Sequence, residues 1–266
     1  MDYDQVLDTA IRAAREGGRL ALEGLNKPGP IKWKGGRDIV TPSILEAQTR
    51  ITETIRAGFP DHPILSEESD ATPDLRSESM WFVDPLDGSL NYMKGIPLFS
   101  VSVGFRHKGL HRVGVVYDPN RDELFHAVRT KGAFLNGRRI GTRWVYEGVE
   151  AYQASVVATD WPAQVDKRRI NAMIVEIIAG EVVSLQIFGS PALAICYIAA
   201  GRLDAYFHLQ LQLWDVAAAA LILQEAGGTF TNAEGSTWQY SDGGYLATNG
   251  IIHGRMLDPI RLARQR

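Results

Sequence analysis

The chain has 266 residues, 45% of them hydrophobic and 22% charged, with a formal net charge of −3, which is the balance of a globular protein whose core needs no disulfide or structural metal. So even a charge offers no general attraction to nucleic acid or to an anionic membrane surface, and neither partner is expected. The single cysteine, Cys196, excludes an internal disulfide and a multi-cysteine zinc site, and no apolar run approaches a membrane span. The acidic start Met1-Asp2-Tyr3-Asp4 lacks the cationic-then-apolar order of a leader, so a soluble cytoplasmic protein is the expectation.

Apolar residues at Leu7, Ala10, Ile11, Ala14, Ala21, Leu22 and Leu25 recur at helical intervals and predict an amphipathic helix stopped by Pro28-Gly29-Pro30. A second helix starts at Thr41-Pro42, shows an apolar face of Ile44, Ala47, Ile51 and Ile55, and ends near Gly58-Phe59-Pro60. Residues 99–105, 111–118, 123–128 and 134–137 read as strands joined by short turns, with Asn136-Gly137 a hairpin turn, so their sheet is largely antiparallel. The texture changes near residues 141–153. Beyond it, strand-like 154–158, 182–187 and 203–207 alternate with helical 167–179, 191–200 and 214–226, the last apolar nearly all round and so buried. A closing helix covers about 251–264. The fold class is α+β, a layered arrangement of sheets covered by helices. We read one compact catalytic unit with an N-terminal half over residues 1–145 and a C-terminal half over 146–266.

The chemistry concentrates in Trp81-Phe-Val-Asp84-Pro85-Leu86-Asp87-Gly88-Ser89-Leu-Asn91, where an apolar strand delivers Asp84 and a Pro/Gly turn precedes a helix start near Ser89. Two carboxylates three residues apart on such a turn can converge, with the Gly88 and Ser89 amides facing the same point, as suits a metal-bridged phosphate. Taken alone, the segment is equally an Asx-turn and a helix cap. Two further acidic features stand at the ends of apolar elements: Glu67 in Ser66-Glu67-Glu68, and Asp215 in Trp214-Asp215. Separately these read as a solvated pair and a residue stabilising a helix start. If Glu67, Asp84, Asp87 and Asp215 meet, each pair about 4 Å apart repels by about 4 kcal/mol at a surface-like dielectric. Such a cluster needs cations or protons, and an all-oxygen donor set selects a hard cation such as magnesium.

The segments Ser66-Glu67-Glu68, residues 81–92, Trp214-Asp215-Val216-Ala217-Ala218 and Glu225-Ala226-Gly227-Gly228 resemble the inositol monophosphatase family, the lithium-sensitive, magnesium-dependent superfamily that includes fructose-1,6-bisphosphatase. The resemblance runs from Asp38-Ile-Val-Thr41 to Ala247-Thr-Asn249. It implies an α-β-α-β-α sandwich, usually homodimeric, that hydrolyses a small phosphorylated polyol by in-line attack of a metal-activated water, with inositol monophosphate the leading substrate. By the same resemblance, two or three magnesium ions bind each site. One is held by Glu67, Asp84 and the Leu86 carbonyl, and a second by Asp84, Asp87 and Asp215. Glu67, Asp84 and Ser89 are then catalytic, and Asp87, Gly88, Ser89, Gly189, Ser190, His208 and Asp215 bind substrate. Alternative esters are fructose-1,6-bisphosphate, histidinol phosphate, NADP and phosphoadenosine phosphate.

Two departures qualify the resemblance. The family acid that helps deprotonate the attacking water is replaced by Ile44, and its threonine partner by Ser89. The first change implies a slower phosphatase and motivates the alternative of a weakly active member serving as a binding or regulatory protein. Position 44 lies in a first helical turn that can border the site, so an aspartate restored there is expected to raise the rate. The second departure is His208, where inositol-specific members often carry glutamate, accompanied by Pro191 where a small residue is commoner.

Overall fold

The computed structural model describes residues 1–25, 27, 32–35, 38–69, 71–143, 147–239 and 242–265. The helix expected from the first apolar stripe runs over Tyr3–Gly24 (α1), with the Asp2 carboxylate accepting from the Asp4 and Gln5 amides. The expected stop at Pro28–Pro30 lies outside the described residues. A two-stranded ribbon that the sequence did not signal, β1 (Lys32–Gly35) and β2 (Asp38–Val40), leads into α2 (Pro42–Gly58). Thr41 caps α2 as expected, its hydroxyl accepting from the Ile44 amide at 3.4 Å.

A seven-stranded sheet follows in chain order: β3 (Ile64–Ser66), β4 (Ser79–Asp87), then past a short helix α3 (Ser89–Met93), β5 (Ser100–His107), β6 (Leu110–Asp118), β7 (Glu123–Val128), β8 (Gly132–Leu135) and β9 (Arg138–Ile140). Its pairings are antiparallel except β3–β4. Asn136 and Gly137 join β8 to β9 with φ of 48° and 76°, the positive pair that a tight hairpin turn of this hand requires.

A short helix α4 (Gly148–Gln153) falls where the texture changes. The remaining elements are β10 (Val156–Thr159), α5 (Val165–Ile178), β11 (Ser184–Ile187), α6 (Pro191–Ala199), β12 (Ala205–His208), α7 (Leu213–Glu225), β13 (Thr229–Asn232), β14 (Tyr245–Thr248) and α8 (His253–Gln265). Their strands form a second sheet in the order β11-β10-β12-β14-β13, parallel across β11-β10-β12 and antiparallel across β12-β14-β13. Strands β13 and β14 have four residues each, too few for a periodic signal, and their ladders with neighbours define them.

Burial orders these parts into five layers. Val6, Ala10 and Ala14 of α1 and Ile51 and Ile55 of α2 pack on Trp81, Val83, Val101 and Val103 of the first sheet. The opposite face of that sheet meets α6 and α7, which also cover Ala158, Tyr206 and Ala247 of the second sheet. Helices α5 and α8 close the far side through Ile174, Ile178, Met256 and Ile260. Helix α7 is apolar on all sides because it lies between two sheets, and residues 216–223 are essentially fully buried. A Cβ at Gly114 of β6 would stand 2.5 Å from the Ala218 carbonyl oxygen, so the glycine sets that close approach.

Candidate functional site

In a regular strand, residues three apart point to opposite faces. Asp84 and Asp87 escape this because β4 carries a bulge at Pro85-Leu86: Asp84 faces Ser102 of β5 and Asp87 faces Ser100, three residues against two. Both acids therefore point towards α6 and α7, while Leu86 turns to the other side and packs with Ile44, Tyr92 and Phe99. Proline suits the bulge because the ladder there needs no amide. Gly88 then caps α3 with φ of 103°, and a Cβ on it would meet the Gly189 and Leu98 carbonyl oxygens at 3.0 and 3.1 Å.

Asp84 is 2% exposed and its Oδ1 accepts from the Leu86 amide at 2.9 Å, the Asx-turn that the motif allows. Burial, followed by the charges of Glu67, Asp87 and Asp215 and a hydrogen bond shared with Glu67, pushes its carboxyl well above the usual range. Asp87 is 4% exposed; its Oδ2 accepts from the Ser190 hydroxyl, from the Ser100 hydroxyl at 3.1 Å and from the Ala192 amide at 3.0 Å. Those bonds at the start of α6 favour the anion, yet burial outweighs them and lifts its pKa to about 7. Asp215, in the first turn of α7, accepts from the Gln212 amide at 2.7 Å, so it is a helix cap and a member of the acid group at once. Glu67 follows β3 directly, its amide donating to the Val83 carbonyl. Gln48 of α2 brackets it: the Gln48 Oε1 accepts from the Ser66 hydroxyl at 2.5 Å and the Glu68 amide at 3.0 Å.

A cleft of about 430 Å³ opens beside this group, lined among others by Gly88, Ser89, Asp215, Gly189, Trp161 and Gln210. Of the expected substrate contacts, Gly88, Ser89, Gly189 and Asp215 reach it. Two do not. Ser190 is fully buried and serves Asp87. His208, 5% exposed, stands behind the wall; its Nδ1 accepts from the Gln210 amide at 3.0 Å, its ring also bonds the Trp161 backbone, and burial holds it neutral with a pKa of about 4. It props two cleft residues, Gln210 and Trp161, through their backbone. Pro191 does line the cleft, at the first position of α6, where its missing amide costs nothing. Arg168, from the basic run at 167–169, closes a loop by donating to the Pro162 and Ala163 carbonyls.

Position 44 corrects a second expectation. Ile44 is 1% exposed among Ala21, Val40, Leu86, Tyr92 and Phe99. It occupies the first turn of α2 but faces the apolar core beneath the motif, so an aspartate there would be a buried charge before it could be a base. The sequence reading also missed Gln48 and Asp160. Asp160 ends β10 and lines the cleft, but its hydrogen-bonding partners are remote in sequence and no local pattern marks it.

The arrangement suits a hard cation in chemistry. Asp84 feels the charges of Glu67, Asp87 and Asp215, and both Asp84 and Asp87 are almost fully buried, so the donors at hand are anionic oxygens. Among the described residues, no three acid, imidazole or thiol groups are already drawn into one coordination shell. Asp84, Asp87 and Asp215 each spend an oxygen on a protein donor. The fit therefore rests on charge, burial and donor type.

A family model described as the inositol monophosphatase family matches residues 2–265. The Nus factor SuhB of Haemophilus influenzae is 37% identical over 264 residues, covering 96% of each chain. Among solved structures, the extragenic suppressor protein suhB of Bartonella henselae superposes with a TM-score of 0.89 at 31% identity, covering 96% of this chain and 98% of that one. An IMPase of Thermotoga maritima does so with a TM-score of 0.88 at 30% identity, covering 97% and 98%.

Proposed function

The chain belongs to the inositol monophosphatase family, and from that premise we propose that it is a magnesium-dependent phosphomonoesterase acting on a small phosphorylated polyol, inositol monophosphate first. The observation that carries this reading is the buried acid group centred on Asp84, set beside the Gly88-Ser89 turn at the mouth of the cleft. Glu67, Asp84 and the Leu86 carbonyl would hold one magnesium, and Asp84, Asp87 and Asp215 a second. Magnesium in such a site supplies a Lewis acid that makes water more acidic and offsets charge on a departing alkoxide. The protein's own part is positional. The Gly88 and Ser89 amides receive the phosphate, Ser89 orients the attacking water, and Gly189 with its neighbours receives the alcohol.

The reading extends to a homodimer in the cytoplasm. Exposed Val183 and Ile187, beside and on the edge strand β11, support a self-association surface. Among the described residues no helix is long and apolar enough to cross a membrane.

A second reading, a feeble enzyme that serves as a binding or regulatory protein, is supported by Ile44 in the place of the family acid and by the Nus factor name of a relative. Under it, the net charge of −3 is no sufficient ground against a macromolecular partner. Phosphate release from a panel of the esters named above, with magnesium, separates the two. Turnover of one ester supports the enzyme, and folded protein that releases no phosphate from any supports the second reading.

A further inference from the structure

The segment over residues 188–192 joins the edge strand β11 to α6, has no ladder of its own, and contributes Gly189 and Pro191 to the cleft wall. Side chains hold it instead. Asp160 Oδ1 accepts from the Phe188 amide at 2.9 Å and the Gly189 amide at 2.5 Å, while its Oδ2 accepts from the Tyr206 hydroxyl at 3.0 Å. From the opposite side, Asn91 Nδ2 donates to the Phe188 carbonyl at 3.0 Å and to the Leu98 carbonyl at 2.8 Å. Asp87 takes the far end through Ser190 and Ala192.

Two buried carboxylates thus grip four of these five residues, Phe188, Gly189, Ser190 and Ala192. Asp160 is only 8% exposed, and both its oxygens are spent inward on this work. Tyr206, which supplies the third bond, is itself 1% exposed on the central strand β12, so the acid is anchored to a rigid part of the sheet. The segment it holds lies directly against the phosphate turn, as the Gly189 carbonyl beside Gly88 shows. Metal-side and alcohol-side walls therefore meet here, and the hydrogen bonds of Asp160 to backbone amides go to the second.

We infer that Asp160 is a positioning residue that fixes the alcohol-side wall at Gly189 and so sets the affinity for the leaving group; this rests on the phosphatase reading. Its effect is on binding geometry, because Asp84 and Asp215 are held by the Leu86 and Gln212 amides, while Asp87 meets the segment at its far end and is also held by Ser100 of β5. A wall that relaxes leaves the reacting atoms served and the alcohol poorly received.

The test uses inositol 1-phosphate with magnesium and the full chain. Asp160→Ala is expected to raise KM by about tenfold or more with kcat within about threefold, the split that marks lost uniform binding. The magnesium-induced rise in melting temperature is expected to match wild type, a readout independent of turnover. Asp160→Asn keeps an acceptor for both amides and should return KM to within about threefold of wild type. Asp160→Glu, which keeps the charge and displaces the oxygens by one methylene, carries the test should the alanine variant not fold; a raised KM at unchanged kcat supports the inference and an unchanged KM overturns it. An active wild type whose Asp160→Ala variant has unchanged KM, or loses kcat and the magnesium response in parallel, overturns the positioning role alone. A folded wild type that hydrolyses no ester removes the phosphatase reading and this inference with it.

Discussion

The two sides of the cleft solve the problem of buried polar groups in opposite ways. On the side of Asp84, Asp87, Glu67 and Asp215, like charges are gathered and each raises the cost of ionising Asp84. On the side of Asp160 and His208, every buried polar group is matched by a protein partner: backbone amides and Tyr206 for the acid, the Gln210 amide and the Trp161 backbone for the imidazole. Under the proposed function, the first side is completed by cations. The second is complete and supports the fold. Substitutions should therefore trade activity against stability with opposite sign on the two sides.

The largest effect is expected at Asp84. Asp84→Asn keeps the oxygen that accepts from the Leu86 amide and removes the charge shared with three acids, so turnover should fall by about 10³-fold or more. The melting temperature of the metal-free protein should stay level or rise, because repulsion is relieved. A melting temperature that drops as far as activity would erase the contrast between the two sides.

Ile44→Asp tests the core beneath the motif. An unpaired carboxylate among Ala21, Leu86, Tyr92 and Phe99 should cost about 3 kcal/mol or more of stability, measurable by urea unfolding, with no gain in rate. A variant as stable as wild type and faster would return position 44 to the catalytic machinery.

His208 sharpens the stable side through pH. Its folded pKa of about 4 lies below the usual histidine value of 6.5, so between pH 6.5 and 4 the unfolded chain binds a proton that the folded chain refuses. Stability from this residue is full above pH 6.5 and is lost on acidification, by about 2 kcal/mol at pH 5. His208→Asn should be clearly less stable than wild type at pH 8, with the gap narrowing at pH 5. A gap independent of pH would mean that the imidazole is not held neutral.

Gln48→Ala gives the smallest expected effect. Loss of the acceptor that brackets Glu67 should raise the magnesium concentration for half-maximal activation by a few-fold, about the value of one or two net hydrogen bonds. Gln48→Glu retains the acceptor and should behave as wild type. Equal magnesium dependence in all three proteins would dismiss Gln48 as a support for Glu67.

The same contrast governs what the chain declares in one dimension. Asp84, Asp87, Gly88 and Ser89 lie within six residues, and the apolar strand before them is a local pattern. The helices α1, α2 and α7 are legible because their periodicity, or in α7 its absence, reports the layers that they face. The alcohol-side wall is not legible. Asp160 finds Phe188 and Tyr206 28 and 46 residues away, and the bulge that turns Asp87 towards Asp84 depends on a ladder with β5. His208 and Ser190 read as pocket residues through the family resemblance, but His208 on β12 accepts from the Gln210 amide and Ser190, at the start of α6, donates to Asp87. At position 44, helical periodicity allowed both the site and the core, and packing against Leu86 and Tyr92 decided for the core.

The central claim is that the acid group around Asp84 is built to be completed by magnesium. Thermal melts of wild type and Asp84→Asn at pH 7.5, with and without magnesium, test it most directly because they need no substrate. The account predicts that magnesium raises the melting temperature of wild type by several degrees, that Asp84→Asn starts at or above the metal-free wild type, and that magnesium adds little to it. Equal magnesium responses in the two proteins, or a variant that melts well below the metal-free wild type, would contradict it.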